Sequence, residues 1–220
     1  MTEDQWESLL SAVSEIQEWF PEGVVFIGGI AVYAHAVSDV DTASMAAQSH
    51  DADFMILIPD FVDLRDIEAL TPNRRLGKQQ FVKNGFEFDV YVEGQHDLAI
   101  PAGEAVAESL LRSDLRVACP EHLLVLKAKA MRDRKGSPKG DKDEDDIVRI
   151  LLVASDIEPS RLTRLTDEML EDLDLAVSGD APLRLAKGNS HKARPIREKA
   201  KARLEEVREA HRLNYGGDGP

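Results

Sequence analysis

The chain has 220 residues, enough for one large domain or two small ones whose core needs neither disulfides nor structural metal. Its one cysteine, Cys119, excludes an internal disulfide; charges run through Met1 to Trp19, and no apolar run nears the roughly 20 residues of a bilayer span, so a soluble, cytoplasmic protein with no membrane partner is expected. The formal charge of -14 argues against a surface built wholly for nucleic acid, although residues 1–183 carry 17 basic against 36 acidic residues (-19) and residues 184–212 carry 10 against 4 (+6).

In chain order, Leu9, Leu10, Val13, Ile16, Trp19 and Phe20 have helical spacing behind a Thr2/Gln5 capping box, and Pro21 ends that helix. Val24 to Ile27 predicts a short strand, Gly28-Gly29 a turn, and Ile30 to Val37 a helix. Asp51 to Ile58 predicts a second strand ending at Pro59, Phe61 to Leu70 a helix, and Phe86 to Val92 a third strand with Glu87, Asp89 and Tyr91 on its polar face. From there the pattern turns helical: Ala102 to Leu111, Glu121 to Arg134, Asp143 to Ala154 and Leu162 to Leu173. Gly, Pro, Ser and Asn between Ser178 and Pro195 predict a linker, and Ile196 to Leu213 a last charged helix. The expected fold class is α+β, a small mixed sheet with flanking helices and a helical C-terminal half. The expected domains are a core over 1–100, a helical domain over 101–177, and a linker with charged helix over 178–220.

Three features carry chemistry. A glycine pair between strand and helix lets backbone approach a phosphate closely, with the first helical N–H groups pointing at it; a turn without ligand is the bland alternative. Asp51 and Asp53, two apart on a strand, present both carboxylates to one side, at the entrance of the apolar run Phe54 to Ile58. Asp89 lies mid-strand among apolar residues and needs a partner: a divalent metal shared with Asp51 and Asp53, or a Lys or Arg ion pair. Three carboxylates near a glycine turn suit two-metal phosphoryl chemistry with Mg2+ or Mn2+ and an NTP substrate.

The pattern Gly28-Gly29, Asp51-Ala52-Asp53 with its apolar continuation, then Asp89, resembles the nucleotidyltransferase superfamily related to DNA polymerase beta. It is most similar to the bacterial branch of AbiEii-type abortive-infection toxins, whose helical half carries a lysine, a nearby arginine and a Lys-Asp-x-x-Asp segment. Those match Lys127, Arg132 and Lys142-Asp143-Glu144-Asp145-Asp146 over a resemblance spanning residues 20–155. The resemblance implies a nucleotidyltransferase core, transfer of NMP from NTP to a hydroxyl of a protein, RNA or small molecule, and a toxin–antitoxin setting with a possible partner protein. It assigns nucleotide binding to Gly28, Gly29, Lys127 and Arg132, and places Asp146 as a partner of Lys127 or Arg132.

Read from the residues alone, Lys127 follows Leu123 to Leu126 in the most apolar part of its helix and needs an anion, phosphate or carboxylate, unless it snorkels; Lys129 exchanges with it if the helix phase shifts. Arg132, Arg134, Lys135 and Lys139, with Gly136 and Gly140, read as a basic loop, and Asp143 and Asp145 as helix N-terminal acids. The six histidines show no zinc spacing with Cys119, and no G-x-S-x-G or Walker pattern occurs. The alternatives to an enzyme of this kind are a non-catalytic protein-interaction module on the same fold and, more distantly, a D-x-D phosphatase or glycosyltransferase. The basic segment 184–212 reads as a structural arm or as a phosphate-contacting surface for an acceptor such as tRNA.

Overall fold

The computed structural model describes residues 1–75 and 77–215 and divides into two compact units, Met1–Cys119 and Pro120–Pro220. In the first unit α1 (Glu3–Trp19) opens on the predicted capping box: the Gln5 backbone N–H donates to the Thr2 hydroxyl, and the Thr2 N–H to the Gln5 side chain. Its apolar face buries Trp6, Leu9, Val13 and Ile16. The chain continues through β1 (Val24–Ile27), α2 (Gly28–Val37), β2 (Asp51–Ile56), α3 (Ile58–Ile67), β3 (Thr71–Asn73), β4 (Lys78–Lys83), β5 (Phe86–Val92), α4 (Ala102–Ala107), β6 (Leu110–Arg112) and β7 (Leu115–Val117).

Among the described residues these strands form one seven-stranded mixed sheet, in the order β3-β4-β5-β2-β1-β7-β6. The β1–β7 and β2–β5 pairs are parallel and the other pairs antiparallel. Because strand side chains alternate, one face collects aromatic residues: Phe26, Phe54, Phe81 and Phe88 form a chain of ring contacts with centroids 4.9 to 6.4 Å apart, and all four are buried. The opposite face therefore receives Asp51, Asp53 and Asp89.

The strands β3, β4, β6 and β7 were not among the predicted elements, and the helix expected over 102–111 stops at Ala107. The sheet thus extends past residue 100. Both added hairpins turn on residue pairs in the left-handed region, Asn84-Gly85 between β4 and β5 and Ser113-Asp114 between β6 and β7. The first is a hairpin signal that a sequence can show. The second is a weaker signal, because Asp114 stands where the strong two-residue hairpin pairs have glycine.

The second unit is helical: α5 (Pro120–Asp133), α6 (Pro138–Val153), α7 (Asp167–Ser178), α8 (Ala181–Leu185) and α9 (Ser190–Tyr215). The span 134–142 is not wholly the expected loop, since Ser137 caps α6 by accepting from the Gly140 N–H. A Cβ at Gly140 would lie 2.6 Å from the Arg134 carbonyl oxygen, so this close approach requires glycine. Likewise α9 starts before Pro195, with the Asn189 carboxamide oxygen accepting from the His191 and Lys192 N–H groups. A proline this close to the start removes one backbone bond without ending the helix. Ala200, Leu204 and Val207 are buried, and Arg184 and Arg208 pair with Glu144, Asp145 and Asp174 of α6 and α7.

In the first unit His35 on α2 is buried, and its Nε2–H donates to the Ala118 carbonyl at 2.9 Å. Burial is the chief cause that lowers its pKa from 6.5 to about 4, against the raising effect of that hydrogen bond. The unfolded chain then binds a proton that the folded one refuses, so the stabilisation is full above pH 6.5 and is lost as pH falls toward about 4. Over that window the parent should lose about 3 kcal/mol more than a His35→Leu variant, read as the difference between their urea midpoints across a pH series. Parallel curves for the two proteins would show that His35 is not the titrating group.

Candidate functional site

The site is set by strand register. In the parallel β2–β5 pair, Asp53 stands opposite Asp89 and Asp51 opposite Glu87, so Asp51, Asp53 and Asp89 share one face, two along one strand and one across the gap of about 4.8 Å. In the antiparallel β1–β2 pair, Ile27 stands opposite Asp53, which brings the end of β1 and the glycine turn beside that carboxylate. Gly28 has φ +62°, and a Cβ there would sit 2.4 Å from Asp53 Oδ2. Gly28 is therefore required twice, for a left-handed backbone and for contact with Asp53. The helix α2 begins at Gly28, two residues earlier than expected, and Ile27 gives its first turn no side-chain cap.

The side chains have protein partners. Ser49 Oγ donates to Asp51 Oδ1 at 2.9 Å. Asp89 is ion-paired with Lys78 of β4, and its Oδ1 accepts from Gln80 Nε2 at 2.8 Å. The Gln80 Oε1 accepts in turn from Asn73 Nδ2 at 3.1 Å. Of the two partners the sequence left open for Asp89, the structure shows the lysine. Among the described residues no three His, Cys, Asp or Glu side chains converge as a metal cage. The backbone register nevertheless suits a divalent cation, because it puts three hard oxygen donors on neighbouring positions of one face, with the glycine turn beside them.

Neither Lys78 nor Gln80 was singled out by sequence. The signal that could have found them is Asn84-Gly85: it fixes a hairpin in which Gln80 faces Asp89 and Lys78 lies two residues further along.

On the helical half, the cations singled out by sequence pair with carboxylates of their own unit. Lys127 lies between Asp143 and Asp146, with Nζ 3.0 Å from Asp143 Oδ1 and 2.8 Å from Asp146 Oδ2. Burial alone would lower its pKa, but the two carboxylates hold the ammonium above the ordinary lysine range. The anion it needs is thus a carboxylate pair of its own unit. Arg149 also pairs with Asp146 and the exposed Arg134 with Asp143, making one network around two buried aspartates.

Asp143 is in this network and not in the first turn of α6, because α6 begins at Pro138. Asp146 pairs with Lys127, the first of the two partners the resemblance offered. Arg132 pairs with Glu168 and Asp172 of α7, and Lys129 with Asp133 one turn along its own helix.

No family model and no curated protein sequence matches the chain. Among solved structures it is similar to an antigenic nucleotidyltransferase-like protein from Paracoccidioides brasiliensis, at 15% identity and TM-score 0.50 over 86% of this chain and 95% of that one. It is also similar to a candidate nucleotidyltransferase from H. pylori, at 15% identity and TM-score 0.50 over 100% of both chains. A third is JHP933 from Helicobacter pylori, at 15% identity and TM-score 0.51 over 99% of this chain and 100% of that one. At this identity the likeness is one of fold: the chain has the α+β nucleotidyltransferase-like fold, with its mixed sheet and helical C-terminal half. Among the described residues no helix is long and apolar enough to cross a membrane.

The Lys127 network makes a stability prediction. Removing one partner of a buried ion pair leaves uncompensated charge, at a cost of about 3 to 5 kcal/mol. Arg134 and Arg149 still neutralise part of Asp143 and Asp146. Lys127→Met should therefore cost about 3 kcal/mol in urea unfolding at neutral pH. A midpoint equal to that of the parent would show that the ammonium contributes nothing net to the folded state.

Proposed function

We propose that the chain transfers a nucleoside monophosphate from an NTP to an acceptor hydroxyl, with Asp51, Asp53 and Asp89 as ligands for one or two Mg2+ or Mn2+ ions. One observation carries this reading: the β2–β5 register that places Asp53 opposite Asp89, with Asp51 on the same face and Gly28 against Asp53. The bound cations would neutralise the triphosphate and supply Lewis-acid activation of the attacking and leaving oxygens. Asp51, Asp53 and Asp89 hold the charge of that cluster in place. Gly28 and Gly29 expose backbone at the uncapped start of α2, where N–H groups and the helix dipole favour phosphate oxygens.

In this reading Lys127 and Arg132 serve the carboxylates of the helical unit, and phosphate recognition falls to residues of the first unit. The acceptor is a hydroxyl of a protein, an RNA or a small molecule. The AbiEii-type resemblance adds a toxin–antitoxin setting and a partner protein to the proposal, and the lone Cys119 with the charged residues from Met1 to Trp19 adds a cytoplasmic location.

The Lys78–Asp89 ion pair favours a second reading, a non-catalytic module in which lysine replaces the metal for good. One experiment separates the two. The parent and an Asp53→Asn variant are incubated with each labelled NTP, Mn2+, and total cell RNA or protein. The parent should label one fraction, and Asp53→Asn should abolish the labelling while melting at or above the parent temperature, since it removes like charge from a cluster. Equal labelling by both proteins would overturn the assignment of the triad. Absence of Mn2+ binding and labelling in the parent, together with capture of a stable protein partner, would establish the second reading.

A further inference from the structure

The charge of the chain is partitioned by unit. The first unit, 1–119, has 7 basic and 21 acidic residues and so carries the whole net charge of -14, whereas 120–220 has 20 of each. A unit of that charge repels a nucleotide triphosphate unless basic side chains are concentrated where the phosphates lie. Three of its seven basic residues, Arg74, Arg75 and Lys78, fall within five positions of the β3–β4 hairpin, with no acid among those positions.

Arg74 and Arg75 are exposed and make no ion pair among the described residues, whereas the side chain of Lys78 is only 9% exposed. Lys78 faces two ways. It is ion-paired with Asp89, and with Arg74, Asn73 and Gln95 it lines a hollow of about 260 Å3. It therefore joins the carboxylate face to the hollow that Arg74 also lines.

Building on the nucleotidyl-transfer reading, we propose that Lys78 is the resident counter-ion of the carboxylate triad, released by a divalent cation to bind, with Arg74 and Arg75, the polyphosphate chain of the NTP. Electrostatics sets the order. Without metal, Asp89 is buried and needs a cation, and the ammonium of Lys78 supplies one on a flexible four-carbon stem. When a divalent cation takes the carboxylate, it repels the ammonium, which can then move toward phosphate oxygens brought in by the same ion. The neighbouring arginines need no release, being exposed already. The proposal makes Lys78 a positioning and binding residue and puts the phosphate clamp on a hairpin.

The test uses the full chain, with Mn2+ alone and Mn2+ with inorganic tripolyphosphate as probes, titrated calorimetrically against the parent, Lys78→Met, Lys78→Arg, and the Arg74→Ala/Arg75→Ala double variant. Lys78→Met should bind Mn2+ alone more tightly than the parent, because a competing cation is gone, yet bind Mn2+-tripolyphosphate about tenfold more weakly. Lys78→Arg should restore tripolyphosphate binding. The double variant should keep the Mn2+ affinity of the parent and lose tripolyphosphate affinity by about tenfold, an outcome that does not depend on Lys78→Met folding.

If the parent binds both probes and the variants match it, the clamp is wrong while the triad assignment survives. Loss of Mn2+ binding in Lys78→Met together with a lower melting temperature would mark the ion pair as purely structural and overturn the proposal. A parent that takes up neither probe would overturn both this proposal and the nucleotidyl-transfer reading.

Discussion

Parallel pairing of β2 with β5 brings Asp53 opposite Asp89, and the aromatic face behind it holds that register in place. A slip of one residue would turn Phe54 or Phe88 to the carboxylate side and push the aspartate of the same strand, Asp53 or Asp89, among the remaining rings. Charged side chains in that layer would cost far more than any local hydrogen bond returns. The polar face is therefore determined from the apolar one: burial of four rings selects which side the acids occupy. The antiparallel β1–β2 pair then sets the glycine turn beside Asp53, where a side chain at Gly28 would collide with the carboxylate.

The two units solve the same electrostatic problem in different ways. In the helical unit Lys127 is enclosed by Asp143 and Asp146, with Arg134 and Arg149 behind them, so that cations and carboxylates neutralise one another. Such a network resists exchange of partners, because removal of Lys127 leaves two buried aspartates with less of their charge neutralised. In the first unit Asp89 has one lysine and one carboxamide as partners, on a sheet face that also carries Asp51 and Asp53. The balance there is incomplete, since acids outnumber cations threefold in the unit as a whole.

Much of the first unit was legible in the sequence because the signals are local. The capping box of Thr2 and Gln5, the apolar strand stopped by Gly28-Gly29, and the same-side placement of Asp51 and Asp53 follow from spacing alone. The β3–β4 hairpin went unrecognised even though Asn84-Gly85 marks the turn after it, because the sequence of β4, Lys-Gln-Gln-Phe-Val-Lys, has only two apolar residues and they are adjacent. The strands β6 and β7 are three residues each, too short for periodicity, and they take strand form by pairing with the sheet through β1. Two prolines read as boundaries fall within helices: Pro59, expected to end β2, lies near the start of α3, and Pro195, expected to close the linker, lies inside α9.

The sequence by itself determined the chemistry on offer: which acids share a strand face, where backbone lacks side chains, and that Asp89 and Lys127 each need an opposite charge. Each of these depends on residues adjacent or periodic in the chain. Tertiary structure alone decided the partners. Strand order and register, products of long-range pairing, brought Lys78 and Gln80 to Asp89, and the packing of α5 with α6 gave Lys127 its aspartates. Opposite charge is a requirement that many residues of the chain can meet, and only the fold, by excluding water from particular pairs, selects the one that does.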